Sequence, residues 1–241
     1  MSKLADKIRK AARLDAQPLG FVTARAAKEA TMLLGGVAAD ARAAAELAAH
    51  GADFVILTKA AAVDGAAAGG AIAGAVIEGD ADAKEYKDGG FDFVVFDPDK
   101  TSSTAVLEEE IGYVMIVPKD ASDTDLRSVE SFQLDAIHVG EIKGVLTVRR
   151  QIELRRLFGL TRKPLLAVVP ADISVPMLQA LRDTNVIAVA VEGAPSIERL
   201  RKTIDALPPR TRRKDEERPT PLVPRSPVGV DEEDEHDHEH E

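Results

Sequence analysis

Charged and imidazole side chains stand at or directly after several short apolar runs of this chain. The stretch FDFVVFDPDK (91–100) is typical, because an apolar run ends abruptly in two acids and a lysine. Carboxylates and an imidazole can exchange protons with a substrate, and a lysine can act as a base or form a Schiff base. The candidate catalytic residues of this kind are Lys59, Glu78, Asp97, Lys119, His138 and Glu192.

The alternation of side chains along a strand selects among these candidates. Glu192 shares its face with small alanines, and His138 shares its face with Ala136 and Gly140, whereas the bulkier neighbours face the other way. We therefore expect both to point into the mouth of a barrel, where His138 could pair with Glu192 or Asp97 as acid and base. Each also has a structural interpretation, as a hydrogen-bonded core histidine or a solvated rim residue. Turn or capping roles are expected for Asp40, Asp99, Lys100, Asp120 and Asp172.

Two further segments suggest ligands. Gly193 follows the eighth run, and Ser196 is expected to cap the next helix, whose N-terminus could hold a phosphate group. Rim carboxylates could instead hold a divalent cation. A flavin is less expected, because the glycine-rich loops of flavin barrels are absent. The tail DEEDEHDHEHE (231–241) offers His236, His238 and His240 as metal ligands, although such a tail is also typical of a flexible solubilising or interaction segment.

Composition excludes several functional classes. The tail carries eight acidic residues of a chain with net charge −10, so the rest is nearly neutral and does not predict nucleic-acid binding. No apolar stretch reaches the ~18 residues of a membrane span. The absence of cysteine excludes disulfides and thiolate chemistry. We expect a cytoplasmic protein with a small-molecule ligand, for which homo-oligomerisation is left open.

Eight apolar runs must position these residues, and their starts lie 19 to 29 residues apart. The runs cover 32–37, 53–58, 72–78, 91–97, 112–118, 135–140, 164–170 and 186–192. The intervening segments have helical composition, clearest at 38–50, 146–160, 174–185 and 196–207. Strand and helix repeated eight times predicts a (β/α)8 TIM barrel over residues 32–207, with an open doubly wound sheet as the alternative.

The flanking segments are predicted to lie outside the barrel repeat. Residues 1–31 form an N-terminal extension, in which LADKIRKAARL is an amphipathic helix and the lead-in PLGFVTARAAKEAT could plug the barrel. Residues 208–241 combine a Pro- and charge-rich linker with the acidic tail, a composition typical of disorder. That tail could bind a protein partner or a metal.

Two stretches carry a resemblance to known families. AAELAAHGADFVIL looks like the helix-to-strand passage of aldolase-type TIM barrels, including the nitronate monooxygenase and IMP dehydrogenase types. KPLLAVVPADISVPMLQALRDTNVIAVAVEG resembles uncharacterised bacterial TIM-barrel proteins over roughly residues 18–210. That group implies the fold and lends no catalytic residues. DPDK has its charges in a different order from the D-x-K-x-x-D motif of the orotidine decarboxylase type.

Two functional hypotheses follow. The first is an aldolase-, lyase- or isomerase-like enzyme, or a binder, that takes a small anionic metabolite at the rim. The second is a non-catalytic barrel scaffold whose tail binds partners or metal. The habits of the fold favour the first, and the missing phosphate loops and the unusual tail favour the second.

Overall fold

The computed structural model describes residues 2–12, 32–59, 64–118 and 120–208, in which eight parallel strands close into a barrel in sequence order. The strands are β1 Leu33–Ala38, β2 Phe54–Leu57, β3 Ile72–Gly79, β4 Phe93–Thr101, β5 Gly112–Ile116, β6 Ala136–Glu141, β7 Leu165–Val168 and β8 Val186–Glu192. The helices are α1 Lys3–Ala12, α2 Ala41–Ala49, α3 Ala83–Asp88, α4 Asp123–Ser128, α5 Val148–Thr161, α6 Val175–Arg182 and α7 Ala194–Asp205. Short 3₁₀ turns cover Gly65–Ala68, Ser103–Val106 and Val129–Ser131. The predicted (β/α)8 TIM barrel is confirmed.

Each strand alternates its side chains between the barrel interior and the layer of helices. The interior cluster includes Leu33, Phe54, Ile56, Ile72, Phe93, Val95, Val114, Ala136, Leu166, Ala188 and Ala190. A second, larger cluster joins the outward side chains to the helices, as in the contact of Leu47 on α2 with Gly36 of β1. Strands covered on both faces read as nearly continuous apolar runs, which is why the sequence located all eight.

Two glycines make room for the largest rings of the interior. Gly35 pairs in register with Phe54, and Gly74 pairs with Phe93. A Cβ atom built on Gly74 would lie 2.1 Å from Cζ of Phe93. The two rings meet edge to face with centroids 6.3 Å apart. Small and large residues on neighbouring strands therefore fill the barrel together.

The N-terminal helix closes the amino-terminal end of the barrel. Leu4, Ile8 and Ala11 of α1 are buried and belong to the interior cluster. Asp92 accepts hydrogen bonds from the backbone N–H groups of Lys3 (3.0 Å) and Leu4 (2.9 Å), which fixes the start of the helix. The predicted amphipathic helix is confirmed. The lead-in proposed as a plug, 18–31, lies outside the described residues together with 13–17.

Four of the six connections between β1 and β7 contain a described α-helix, and each of these helices begins with a side-chain cap. Asp40, Asp82, Ser122 and Thr147 each accept a hydrogen bond from the first turn of their helix. The prediction for Ser196 is wrong, because α7 begins at Ala194 and Ser196 lies within its first turn. No described helix is long and apolar enough to cross a bilayer.

Candidate active site at the barrel mouth

The DPDK stretch is an irregular part of β4 at the carboxyl end of the barrel. Ile77 of β3 pairs with Phe96, but Gly79 pairs with Thr101, so residues 97–100 bulge between two paired positions. Oδ1 of Asp97 accepts a hydrogen bond from the backbone N–H of Asp99 at 3.0 Å, which holds the bulge. Bulges of this kind often redirect side chains beside active sites. Asp97 continues the inward alternation of Phe93 and Val95.

Lys100 joins the two carboxylates at this edge. Its Nζ lies 3.4 Å from Oδ2 of Asp97 and 3.9 Å from Oε1 of Glu78. The side chain of Asp97 is only 25% exposed, whereas Glu78 and Lys100 reach into solvent. We call these three residues the mouth cluster. Lys100 was expected to be a plain turn residue, and strand alternation could not identify it because the bulge breaks the period of two.

His138 lies on the inner face of β6, as its alternation with Ala136 predicts. Its Nδ1 accepts a hydrogen bond from the backbone N–H of Gly140 at 3.3 Å, so the proton of the neutral ring belongs on Nε2. Burial lowers the pKa of His138 below its ordinary value, which favours that neutral ring. No hydrogen bond or ion pair joins it to Asp97 or Glu192 within the described part of the chain. The ring is thus arranged to donate through Nε2.

The other predicted catalytic residues are spread around the mouth. Glu192 ends β8, where it pairs in register with Val37 of β1. It is exposed and lies two residues beyond the inward Ala190. Lys59 is exposed just after β2. Lys119 lies outside the described residues. The structure therefore brings Glu78 and Asp97 together through Lys100 and leaves Lys59 and Glu192 at separate points of the ring.

The two helices that follow β7 and β8 have N-termini without side-chain caps. Ser174 stands at the N-cap of α6 and Gly193 at that of α7, and neither provides a side-chain hydrogen bond to its helix. Gly193 adopts a φ of 80°, which favours glycine. The N–H of Ser196 is bonded to the carbonyl of Gly193 at 3.1 Å. An exposed helix start of this kind attracts anions.

Metal binding has less support in the described residues. They contain no group of three or more histidine and carboxylate side chains arranged to hold a metal ion. His236, His238 and His240 fall outside the described residues, so their metal-binding role stays a prediction.

Comparisons with known proteins define the fold class and go no further. No known protein family and no curated protein matches the sequence. Among solved structures, 3-keto-L-gulonate-6-phosphate decarboxylase from Vibrio cholerae is similar, with a TM-score of 0.58, 12% identity, and coverage of 74% of this chain and 99% of that one. Thiamine phosphate pyrophosphorylase from Pyrococcus furiosus has a TM-score of 0.54 and 14% identity, with coverage of 73% of this chain and 96% of that one. A 3-hexulose-6-phosphate synthase has a TM-score of 0.52 and 17% identity, with coverage of 71% of this chain and 99% of that one. The structural neighbours are aldolase-type TIM barrels.

Proposed function

We propose that this barrel is an aldolase- or lyase-like enzyme that binds a small phosphorylated metabolite at its mouth. The observation that carries the proposal is the mouth cluster, in which Lys100 lies between Asp97 and Glu78 at the carboxyl ends of β3 and β4. Active sites of this fold lie at that end of the strands.

The mouth cluster suits reactions that build negative charge beside a carbonyl group. The ammonium group of Lys100 can stabilise an oxyanion or enolate, and the partly buried Asp97 can remove or return a proton. His138 adds an Nε2–H donor on the inner face of β6.

The anionic group of the substrate is assigned to the other side of the mouth. The uncapped N-terminus of α7, with Gly193 and Ser196, follows β8, where phosphate sites of TIM barrels are frequent. The uncapped start of α6 after β7 adds a second positive helix end. The names of the three similar structures each include a phosphate ester, which supports this class of ligand. A flavin or nitronate chemistry has no comparable support from the described residues.

A binding and turnover screen tests the proposal. Three- to six-carbon sugar phosphates, each with its unphosphorylated sugar as control, would be examined by thermal shift and then for release of carbon dioxide or an aldehyde. We expect at least one phosphate ester, and not its parent sugar, to stabilise the protein and to be turned over. Asp97→Asn should lower kcat by about 100-fold or more, and Lys100→Met should do the same.

Two variants separate anion binding from chemistry. Ser196→Asp places a negative charge in the first turn of α7 and should raise the Kd of the phosphate ester by about 10-fold or more, whereas Ser196→Ala should not. Asp80→Asn, in the exposed turn after β3, is the matched control for Asp97→Asn. If no phosphate ester binds, the proposal fails and the scaffold hypothesis gains.

A further inference from the structure

A groove lies on the side of the barrel where the described residues place no α-helix between β4 and β5. The connection between β4 and β5, residues 102–111, contains only the 3₁₀ turn Ser103–Val106. Beside it lies a groove of about 840 Å³ whose floor is formed by Phe96, Tyr113 and Met115. Parallel sheets are normally covered on both faces, and here the cover beside β4 and β5 is thin enough to leave a groove over three side chains that are each 7% exposed.

The groove is apolar inside and acidic along both edges. Leu107 is 72% exposed at one edge and Phe132 is 55% exposed at the other, which is unusual for such large apolar side chains. Asp99 and Glu109 lie on the edge formed by the β4–β5 side, and Asp120 lies towards α4. The described residues give these three carboxylates no cationic partner. The groove therefore fits an amphipathic helix with basic flanks.

The outer face of α5 has the matching pattern. Val148 is 73% exposed and Ile152 is 62% exposed, one helical turn apart. Gly159 continues the same line, and a Cβ atom built there would meet open space. We call Val148, Ile152 and Gly159 the α5 strip. It is an apolar line with no cover from the described part of this chain.

Arginines flank the α5 strip on both sides. Helical spacing of 100° per residue puts Arg149 on one side of Ile152 and Arg155 on the other. The side chain of Arg149 is 90% exposed, and its Nε lies 3.6 Å from Oε1 of Glu153 in a solvent-exposed ion pair. Arg155 is exposed, with no acidic partner among the described residues. An apolar line with one arginine on each side is complementary to an apolar groove with carboxylates along its edges.

The groove and the α5 strip lie on the same side of the barrel. The α4 helix lines the groove through Asp125 and Leu126. On its other side, Nε of Arg156 on α5 donates to Oδ1 of Asp123 on α4 at 2.7 Å. Two complementary surfaces on either side of one short helix are compatible with a two-fold interface, in which each protomer offers both.

We propose that the partner of the side groove is a second copy of this chain, whose α5 strip occupies the groove in a two-fold symmetric dimer. The proposal does not depend on any activity at the barrel mouth. Each protomer then completes the helical layer of the other beside β4 and β5. The interface combines burial of apolar side chains at its centre with ion pairs at its edge.

Sedimentation equilibrium of the full chain tests the dimer. The expected species has twice the 25.7 kDa mass of the chain. Ile152→Glu in the strip and Phe132→Glu in the groove should each raise the dimer dissociation constant by about 10-fold or more. Both positions are exposed, and circular dichroism would verify that each variant stays folded. A wild-type protein that remains monomeric at every accessible concentration overturns the proposal.

Mixing the two variants identifies which surface meets which. A heterodimer of Ile152→Glu and Phe132→Glu chains keeps one intact strip in one intact groove, so mixing should restore part of the association. Charge reversal gives an independent reading, because Arg149→Glu with Arg155→Glu should dissociate the dimer and adding Glu109→Lys with Asp120→Lys should restore it. Arg199→Glu with Lys202→Glu, on exposed positions of α7, is the control of equal charge change. Mixtures that stay monomeric overturn the assignment of strip to groove.

Discussion

At His138, burial rather than an acidic partner determines the state of the side chain. The sequence suggested a pair with Glu192 or Asp97, but the ring instead accepts a hydrogen bond from Gly140 through Nδ1. A neutral imidazole with a free Nε2–H can donate to a bound ligand or act as an acid through a relay, whereas it is poorly arranged as a base. This role would complement a carboxylate base at Asp97.

The lowered pKa of His138 predicts a pH-dependent stability. The imidazole of His138 binds a proton more readily in the unfolded chain than in the folded one. The stabilising contribution of neutral His138 is therefore fully present above about pH 6.5 and is lost as the pH falls through the folded-state pKa. Urea unfolding across this range should show a free energy of unfolding that falls with decreasing pH. His138→Asn, which keeps an acceptor near Gly140, should flatten that slope.

Two comparisons keep that test specific. His50→Gln removes an exposed imidazole at the end of α2 and is the matched control. Burial raises the pKa of Asp135, whose contribution to stability has the opposite sign and is lost as the pH rises through its folded-state pKa. Comparing each variant with the wild type removes the contribution of Asp135. An unchanged slope in His138→Asn would contradict the prediction.

The difference between Asp97 and Lys100 shows how far the sequence leads at the level of single residues. The end of an apolar run was enough to locate Asp97 at the mouth of a barrel. Lys100 could be placed beside Asp97 only with the three-dimensional structure. The bulge at 97–100 brings the Lys100 side chain back to the Asp97 carboxylate, three positions earlier in the chain. Alternation predicts side-chain direction only where the strand stays regular.

At the scale of elements, the packing of β1 to β4 depends on glycine positions that the sequence alone did not single out. Gly35 and Gly74 look like ordinary interruptions of apolar runs. In the barrel each lies against the ring of the neighbouring strand, because the strand register pairs them with Phe54 and Phe93. The sequence predicted the strands from their apolar runs, but register is a property of pairs of strands.

Gly74→Ala should destabilise the protein. The added methyl group would lie 2.1 Å from a ring that is buried and held edge to face by Phe54, so the strand or the ring must move. Overpacking of this kind costs about 1–3 kcal/mol, measurable by urea unfolding. Gly159→Ala, whose methyl group meets open space, is the control and should stabilise α5 by up to about 1 kcal/mol at monomeric concentrations. Equal effects from both substitutions would contradict the packing argument.

Helix boundaries show the same division between local and non-local information. Asp40 was expected to cap or turn, and it does cap α2, because its side chain and the helix start are neighbours in sequence. Ser196 looked like an equivalent cap, but Gly193 with a φ of 80° lets α7 start earlier. The result is a helix N-terminus that is open to an anion where a capped one was expected.

For the molecule as a whole, the amino-terminal end of the barrel is covered by its own N-terminal helix. The α1 helix is held by Asp92 at its start and by Lys7, whose Nζ lies 3.8 Å from Oδ1 of Asp53. Ser2 also bonds to Asp135. The closing helix and the proposed site are thus at opposite ends of one interior cluster.

If α1 is part of the barrel core, Leu4→Ala should destabilise the entire protein. Leu4 is fully buried against interior residues, so the substitution removes a large side chain and leaves a cavity that the rigid strand ends cannot fill. Such changes cost about 2–5 kcal/mol, and urea unfolding would show the loss as one cooperative transition. Lys10→Ala, on the exposed face of the same helix, should have little effect. A Leu4→Ala protein with unchanged stability would mean that α1 detaches without consequence for the barrel, and the amino-terminal end would then be a second opening to the interior.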